Sequence, residues 1–165
     1  GARTGSETTA AAAGQVGVLR RDPMAMLPFC GYNMGDYFRH WLAVGKRCTH
    51  PPRIYSINWF RTDEAGKIIW PGFGDNIRVL KWVVDRVHGR VGAKETPLGL
   101  LPETRDLSLE GLDLSPSRVE KLFEVNAQEW SQELVEIEKF LNQFGDRLAP
   151  EMREEYESLW RKLKP

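Results

Sequence analysis

A chain of 165 residues with 41% hydrophobic and 10% aromatic content is long enough for one domain with a real core, which excludes a disulfide-stapled miniature and wholesale disorder. No apolar run approaches the roughly 20 residues of a membrane helix. The opening at Gly1 shows no basic segment followed by an apolar one, which argues against an intact secretory precursor and reads as an internal, processed or engineered start. Net charge is zero, yet residues 1–94 hold 14 basic against 7 acidic side chains and residues 95–165 hold 9 against 16. The parts carry +7 and −7, an asymmetry that fits either a polyanionic ligand on one side or two complementary faces of one fold.

Residues 1–14, rich in Gly, Ala, Ser and Thr, suit a surface segment, and lid, linker and a short helix capped by Ser6 all stay open. Cys30 and Cys48 stand eighteen positions apart with no CxxC pair or histidine at metal-ligand spacing, so reduced thiols and a cytoplasmic protein are expected. Asn33 is placed to cap a helix that buries Met34, Tyr37, Phe38, Trp41 and Leu42 and that Gly45 ends. After Pro51 and Pro52, the β-branched and aromatic run Ile54 to Phe60 reads as a strand. Asp63 to Gly66 is a turn, and Lys67 to Trp70 the return strand of a hairpin closed by Pro71 and Gly72.

Helical spacing then resumes, with Ile77, Leu80, Val84 and Val87 on one buried stripe, Asp75 or Asn76 at the start and Gly89 at the stop. A loop rich in Pro, Gly and Asp leads to Ser115 and Pro116, a cap and first-position proline that open a helix through Phe123. Asn126 with Glu129 and Val125 with Trp130 pattern as a capping box and hydrophobic staple. Trp130, Leu134, Ile137, Leu141 and Phe144 follow as the clearest amphipathic stripe, and a last helix from about Pro150 buries Met152, Tyr156, Leu159 and Leu163. The fold class expected is α+β: a short β-hairpin with four to five helices and a helical, acidic C-terminal half beyond residue 95.

Chemistry concentrates in Asn58-Trp59-Phe60 and Trp70-Pro71-Gly72-Phe73-Gly74-Asp75-Asn76. Glycines beside Phe73 free the backbone for close approach, Asn76 offers a donor and an acceptor, and aromatics could stack a planar base. The residues alone fit, as the simpler reading, a set of ordinary core aromatics beside a turn: Trp59, Phe60, Trp70 and Phe73.

Leu27 to Tyr37, Asn58-Trp59-Phe60-Arg61 and Trp70 to Leu80, in this order and spacing, resemble the C-terminal part of GTP-dependent phosphoenolpyruvate carboxykinase. The likeness covers essentially the whole chain, including Glu95-Thr96-Pro97-Leu98-Gly99 and the acidic helical tail. It implies part of an α/β carboxykinase of gluconeogenesis, a lyase that decarboxylates oxaloacetate and phosphorylates the enolate from GTP, giving phosphoenolpyruvate, CO2 and GDP. It further implies that Phe60 and Phe73 stack on guanine, that Asn76 reads the base edge, and that Gly74 and Asp75 belong to the same stretch. Ser6, Glu7, Thr8, Thr9, Ala10, Ala11, Ala12, Ala13 and Gly14 match the family's mobile lid.

Two departures bear on function. Ile68 stands where animal relatives usually carry a third phenylalanine beside the base. The sequence has no Gly-x-x-x-x-Gly-Lys-Ser/Thr phosphate loop and no lysine, histidine and aspartate set matching the family's manganese site, and His40, His50 and His88 are dispersed. The expected organisation is a lid-like loop at 1–14, a guanine-binding part at 15–94 and an acidic helical part at 95–165. Manganese or magnesium would be held by an upstream catalytic portion of the same enzyme, the partner this chain needs for turnover. No nucleic-acid or membrane partner is expected. Rival readings are a non-catalytic helical protein-interaction module and a stand-alone purine-nucleotide-binding domain.

Overall fold

The computed structural model describes residues 3–5 and 19–164, and helical periodicity accounts for most of what they form. They divide into two units, residues up to 51 together with 127–165, and residues 52–126. The expected lid, Ser6 to Gly14, lies outside the described residues.

In the first unit, β1 (Arg3–Gly5) and β2 (Leu19–Arg21) pair antiparallel with Arg3 opposite Arg21. Helix α1 (Met34–Arg47) starts where the sequence places it, because the Asn33 side chain accepts the Gly35 N–H at 2.8 Å. It does not stop at Gly45. That glycine keeps a right-handed conformation, and the helix runs on until Cys48, whose N–H bonds to Val44 and Gly45 carbonyls. A C-terminal glycine stops a helix only when it enters the left-handed region. Both cysteines are free thiols.

Helix α4 (Ala127–Asn142) and helix α5 (Pro150–Leu163) complete this unit, the latter opening at its proline as expected. Met34 and Phe38 of α1 pack with Phe140, Leu141, Phe144 and Leu148 into one core, in which Phe144 sets its ring edge-on to Phe38 at 5.4 Å and to Phe140 at 5.1 Å. Within the predicted α4 stripe, Leu134, Leu141 and Phe144 are buried and Trp130 and Ile137 half-buried. A Cβ at Gly35 would stand 2.7 Å from the Arg147 carbonyl oxygen, so only glycine lets α1 approach the turn before α5 this closely. Trp41, expected inside, is 48% exposed. Asp22, fully buried, accepts the Leu27 N–H at 2.8 Å, a structural role that no local pattern announced.

In the second unit lie helix α2 (Asn76–Val87), β3 (Lys94–Thr96), β4 (Gly99–Leu101) and helix α3 (Pro116–Phe123). Ser115 caps α3 by accepting the Arg118 N–H, and α2 ends before Gly89, which takes the left-handed conformation at φ +70. Three expectations fail here.

Residues 54–60 form no strand; Thr62 and Ile68 make only an isolated bridge, and Ile54 is 91% exposed. The Asp63 side chain accepts the Ala65 and Lys67 N–H groups, so the turn closes at once on itself. The apolar run lacks a partner strand, and β propensity has no ladder on which to act. Among the described residues a tight two-stranded hairpin lies instead at β3–β4, inside the expected loop. There Thr96 Oγ1 donates to the Gly99 carbonyl at 2.7 Å, and Gly99 adopts φ +115. The third correction concerns α2, whose predicted buried stripe faces out. Ile77, Leu80, Val84 and Val87 are 65, 46, 51 and 46% exposed, while Trp82 is buried with Tyr55 edge-on at 6.0 Å. The α+β class, a short hairpin and a helical C-terminal half all stand.

Candidate nucleotide-base site

The aromatic segments at 58–60 and 70–76 divide into rings that hold the unit together and rings that leave it. Asn58 Oδ1 accepts the Phe60 N–H at 3.0 Å, a tight turn that parts two successive side chains. Trp59 is half-buried with its ring 6.5 Å from that of Trp70, whereas Phe60 is 72% exposed. Ile69 and Trp70 are buried, and the Ile69 N–H bonds to the Arg61 carbonyl at 2.9 Å. Ile68, between them and the turn, is half-exposed.

This turn is tied down from α3. Arg61 donates to the Glu124 carbonyl at 2.7 Å, Arg118 pairs with Asp63 at 3.5 Å, and Lys121 with Glu64 at 2.9 Å. The hydrogen bond from Lys121 to the Glu64 carboxylate raises the lysine's pKa above its ordinary value.

Beyond Pro71 the backbone leaves the common conformations twice in succession. Gly72 has φ +81, which suits glycine; Phe73 has φ +42, which in a residue with a Cβ costs on the order of 1–2 kcal/mol. The Phe73 side chain nonetheless buries nothing, being 95% exposed. Backbone strain of this kind, with no packing gain, clusters at ligand-binding and switch segments of proteins. The Asp75 N–H closes this turn on the Gly72 carbonyl at 3.1 Å, and the Asp75 carboxylate takes the Arg78 Nε–H at 2.9 Å. Arg78 in turn donates to the Ser108 and Glu110 carbonyls at 2.6 and 2.9 Å, fixing the start of α2. Asn76, the first residue of α2, accepts the Trp70 indole N–H on Oδ1 at 2.8 Å.

The structure thus joins Trp70 to Asn76 and Ile68 to Thr62, and it leaves Phe60 and Phe73 as separate exposed rings. Among the described residues, neither of these two stacks on another aromatic. Two hollows of the surface, one lined by Asn142, Asp146 and Arg153 and one by Tyr156 and Trp160, include no base-site residue. What the described residues show is two exposed phenylalanine rings on an open surface. Sequence reasoning missed Trp70 and Arg78 as supports: the partner of Trp70 lies six positions on, and beyond its i,i+3 pairing with Asp75, Arg78 reaches carbonyls about thirty positions away.

Among the described residues, no three His, Cys, Asp or Glu side chains are grouped to hold a metal ion, and His40, His50 and His88 are all exposed. Their arrangement does not fit a manganese or magnesium centre. No helix of the described residues is long and apolar enough to cross a membrane.

Residues 1–162 match the family model described as the phosphoenolpyruvate carboxykinase C-terminal P-loop domain. The chain belongs to this family. It is 51% identical over 161 residues to the phosphoenolpyruvate carboxykinase [GTP] of Arthrobacter sp. (strain FB24), covering 96% of this chain and 26% of that protein. The protein of the same name from Paenarthrobacter aurescens (strain TC1) is 47% identical over 165 residues, covering 99% of this chain and 27% of its own length. That of Anaeromyxobacter dehalogenans (strain 2CP-1) is 51% identical over 148 residues, or 90% and 25%. The chain therefore spans about a quarter of the length of these carboxykinases, and the sequence segments singled out above fall inside the matched region.

Proposed function

We propose that the chain supplies the guanine-binding platform of a GTP-dependent phosphoenolpyruvate carboxykinase. The reaction converts oxaloacetate and GTP to phosphoenolpyruvate, CO2 and GDP. Loss of CO2 leaves an enolate whose oxygen takes the γ-phosphoryl group. The observation that carries this reading is Phe73, held at φ +42 with its ring 95% exposed, in a chain 51% identical to a carboxykinase named for GTP. Phe60 and Phe73 give the base its stacking surfaces, Ile68 borders them with aliphatic contact, and Asn76 meets the base edge beside Gly74 and Asp75. Ser6 to Gly14 act as the lid that excludes water from the enolate. Phosphate, divalent metal and oxaloacetate are handled by the upstream portion, so no step is assigned to a metal here. The two free thiols, Cys30 and Cys48, fit a cytoplasmic enzyme.

The test exchanges this chain for the matching quarter of the Arthrobacter protein. The exchange is expected to form phosphoenolpyruvate from oxaloacetate and GTP, whereas the 165-residue chain alone forms none. In the exchanged enzyme, Phe73→Ala should raise the KM for GTP roughly tenfold or more, since one stacked face is worth about 1–3 kcal/mol. Asn76→Ala should reduce discrimination between GTP and ATP more than total affinity. Folded variants that use both nucleotides as the parent does would overturn the assignment.

The outward stripe of α2 favours a second reading, a helical interaction module. That reading expects an inactive exchange.

A further inference from the structure

We infer that Trp70 is a positioning residue that decides which end of the Asn76 amide meets the base, and thereby selects 6-oxo over 6-amino purines. The inference rests on the guanine-platform reading above. An indole N–H can only donate, so its partner 2.8 Å away must be the carbonyl end of the Asn76 amide. Turning the amide over would set N–H against N–H beside a ring that is only 6% exposed.

Trp70 cannot easily follow such a turn. It is flanked by the buried Ile69 and packed near Trp59, and Asn76 is held at the first position of α2 by the Asp75–Arg78 anchorage. With Oδ1 engaged, the NH2 group is left for the ligand.

That commitment has a chemical consequence. A free asparagine amide pairs bidentately with adenine, accepting from the 6-amino group while donating to N7. Trp70 takes one of the two lone pairs of Oδ1 and holds the carbonyl toward the buried indole, so the amide turns its NH2 donors, rather than an acceptor–donor pair, to the base. The remaining donors suit the O6 and N7 acceptors of guanine and of hypoxanthine, and they meet the adenine 6-amino group donor to donor. Stacking on Phe60 and Phe73 tolerates any base, so the choice between purines falls to this edge.

The experiment uses the exchanged full-length enzyme with GTP, ITP, ATP and the triphosphate of 2-aminopurine riboside, which is guanosine triphosphate without O6. The parent is expected to prefer GTP and ITP. Trp70→Phe keeps a ring against Trp59 and deletes the N–H; it should lower the GTP-to-ATP ratio of kcat/KM about tenfold, with the change falling in KM rather than kcat. Asn76→Asp keeps the Trp70 bond but presents an acceptor to the base, and should move preference toward ATP. An unchanged GTP-to-ATP ratio in Trp70→Phe overturns the proposal. If Trp70→Phe does not fold, an unchanged ratio in Asn76→Asp does so. Phe73→Ala separates the two levels: a raised KM for GTP with an unmoved ratio in the Trp70 and Asn76 variants leaves the platform standing and removes the positioning role, whereas no effect of Phe73→Ala removes the platform.

Discussion

The two units use the same residue types for opposite ends. In the unit built from α1, α4 and α5, Phe38, Phe140 and Phe144 converge edge-on in one core, while Phe29 and Trp41 stay exposed. In residues 52–126 the buried apolar set is Ile69, Trp70, Trp82, Leu107 and Val119, and ten large apolar side chains are exposed, among them Phe60, Phe73 and the α2 stripe. Hydrophobic content therefore does not say what a phenylalanine does. A ring that loses its water on folding stabilises the fold; a ring left in water keeps that free energy for a ligand or a neighbouring surface.

The sharpest way to break this contrast is to shorten one ring in each unit. Phe140→Ala should cost roughly 3–5 kcal/mol of unfolding free energy, while Phe60→Ala should change it by no more than about 0.5 kcal/mol. Denaturant unfolding of the two variants reads both numbers, and equal losses would make Phe60 a core residue. A smaller effect of opposite sign is expected at Phe73→Gly. Relief of the left-handed strain, less the greater chain entropy of glycine, should stabilise the fold by about 0.5–1 kcal/mol while weakening GTP binding in the exchanged enzyme. Stability and binding falling together would show that the ring packs inward.

The smallest effect concerns α2. Hydrogen bonds from Lys81 and Arg90 hold the Asp85 carboxyl below its ordinary pKa. A carboxylate depressed in the folded state adds stability above the unfolded pKa of about 4, and loses it as pH falls through the folded value. The melting temperature of the parent should thus fall more steeply below about pH 4 than that of Asp85→Asn. Parallel curves would show that this exposed cluster contributes nothing.

Local chemistry made much of the scaffold legible. Asn33, Ser115 with Pro116, Gly89 and Pro150 mark helix ends within a residue or two, because a cap, a fixed φ or a left-handed turn is settled by neighbours in the chain. The Thr96 to Gly99 turn carried its own signal in a threonine that bonds across to Gly99, yet proline and glycine there read as loop. The 54–60 run misled for the converse reason: β-branched and aromatic residues describe a strand only when another strand is present to pair with it.

What the sequence by itself determined is the class, the helix boundaries, the family motif and the pair of phenylalanines worth testing. Only the tertiary structure decided that Trp59 and Trp70 turn in while Phe60 and Phe73 turn out, that α2 buries Trp82 instead of its apolar stripe, and that the Asn76 carbonyl is already engaged. The physical reason is range. Capping and turn geometry are closed by groups a few positions apart, but burial and hydrogen-bond commitment depend on what distant segments bring alongside, as Arg78 reaches Ser108 and Lys121 reaches Glu64.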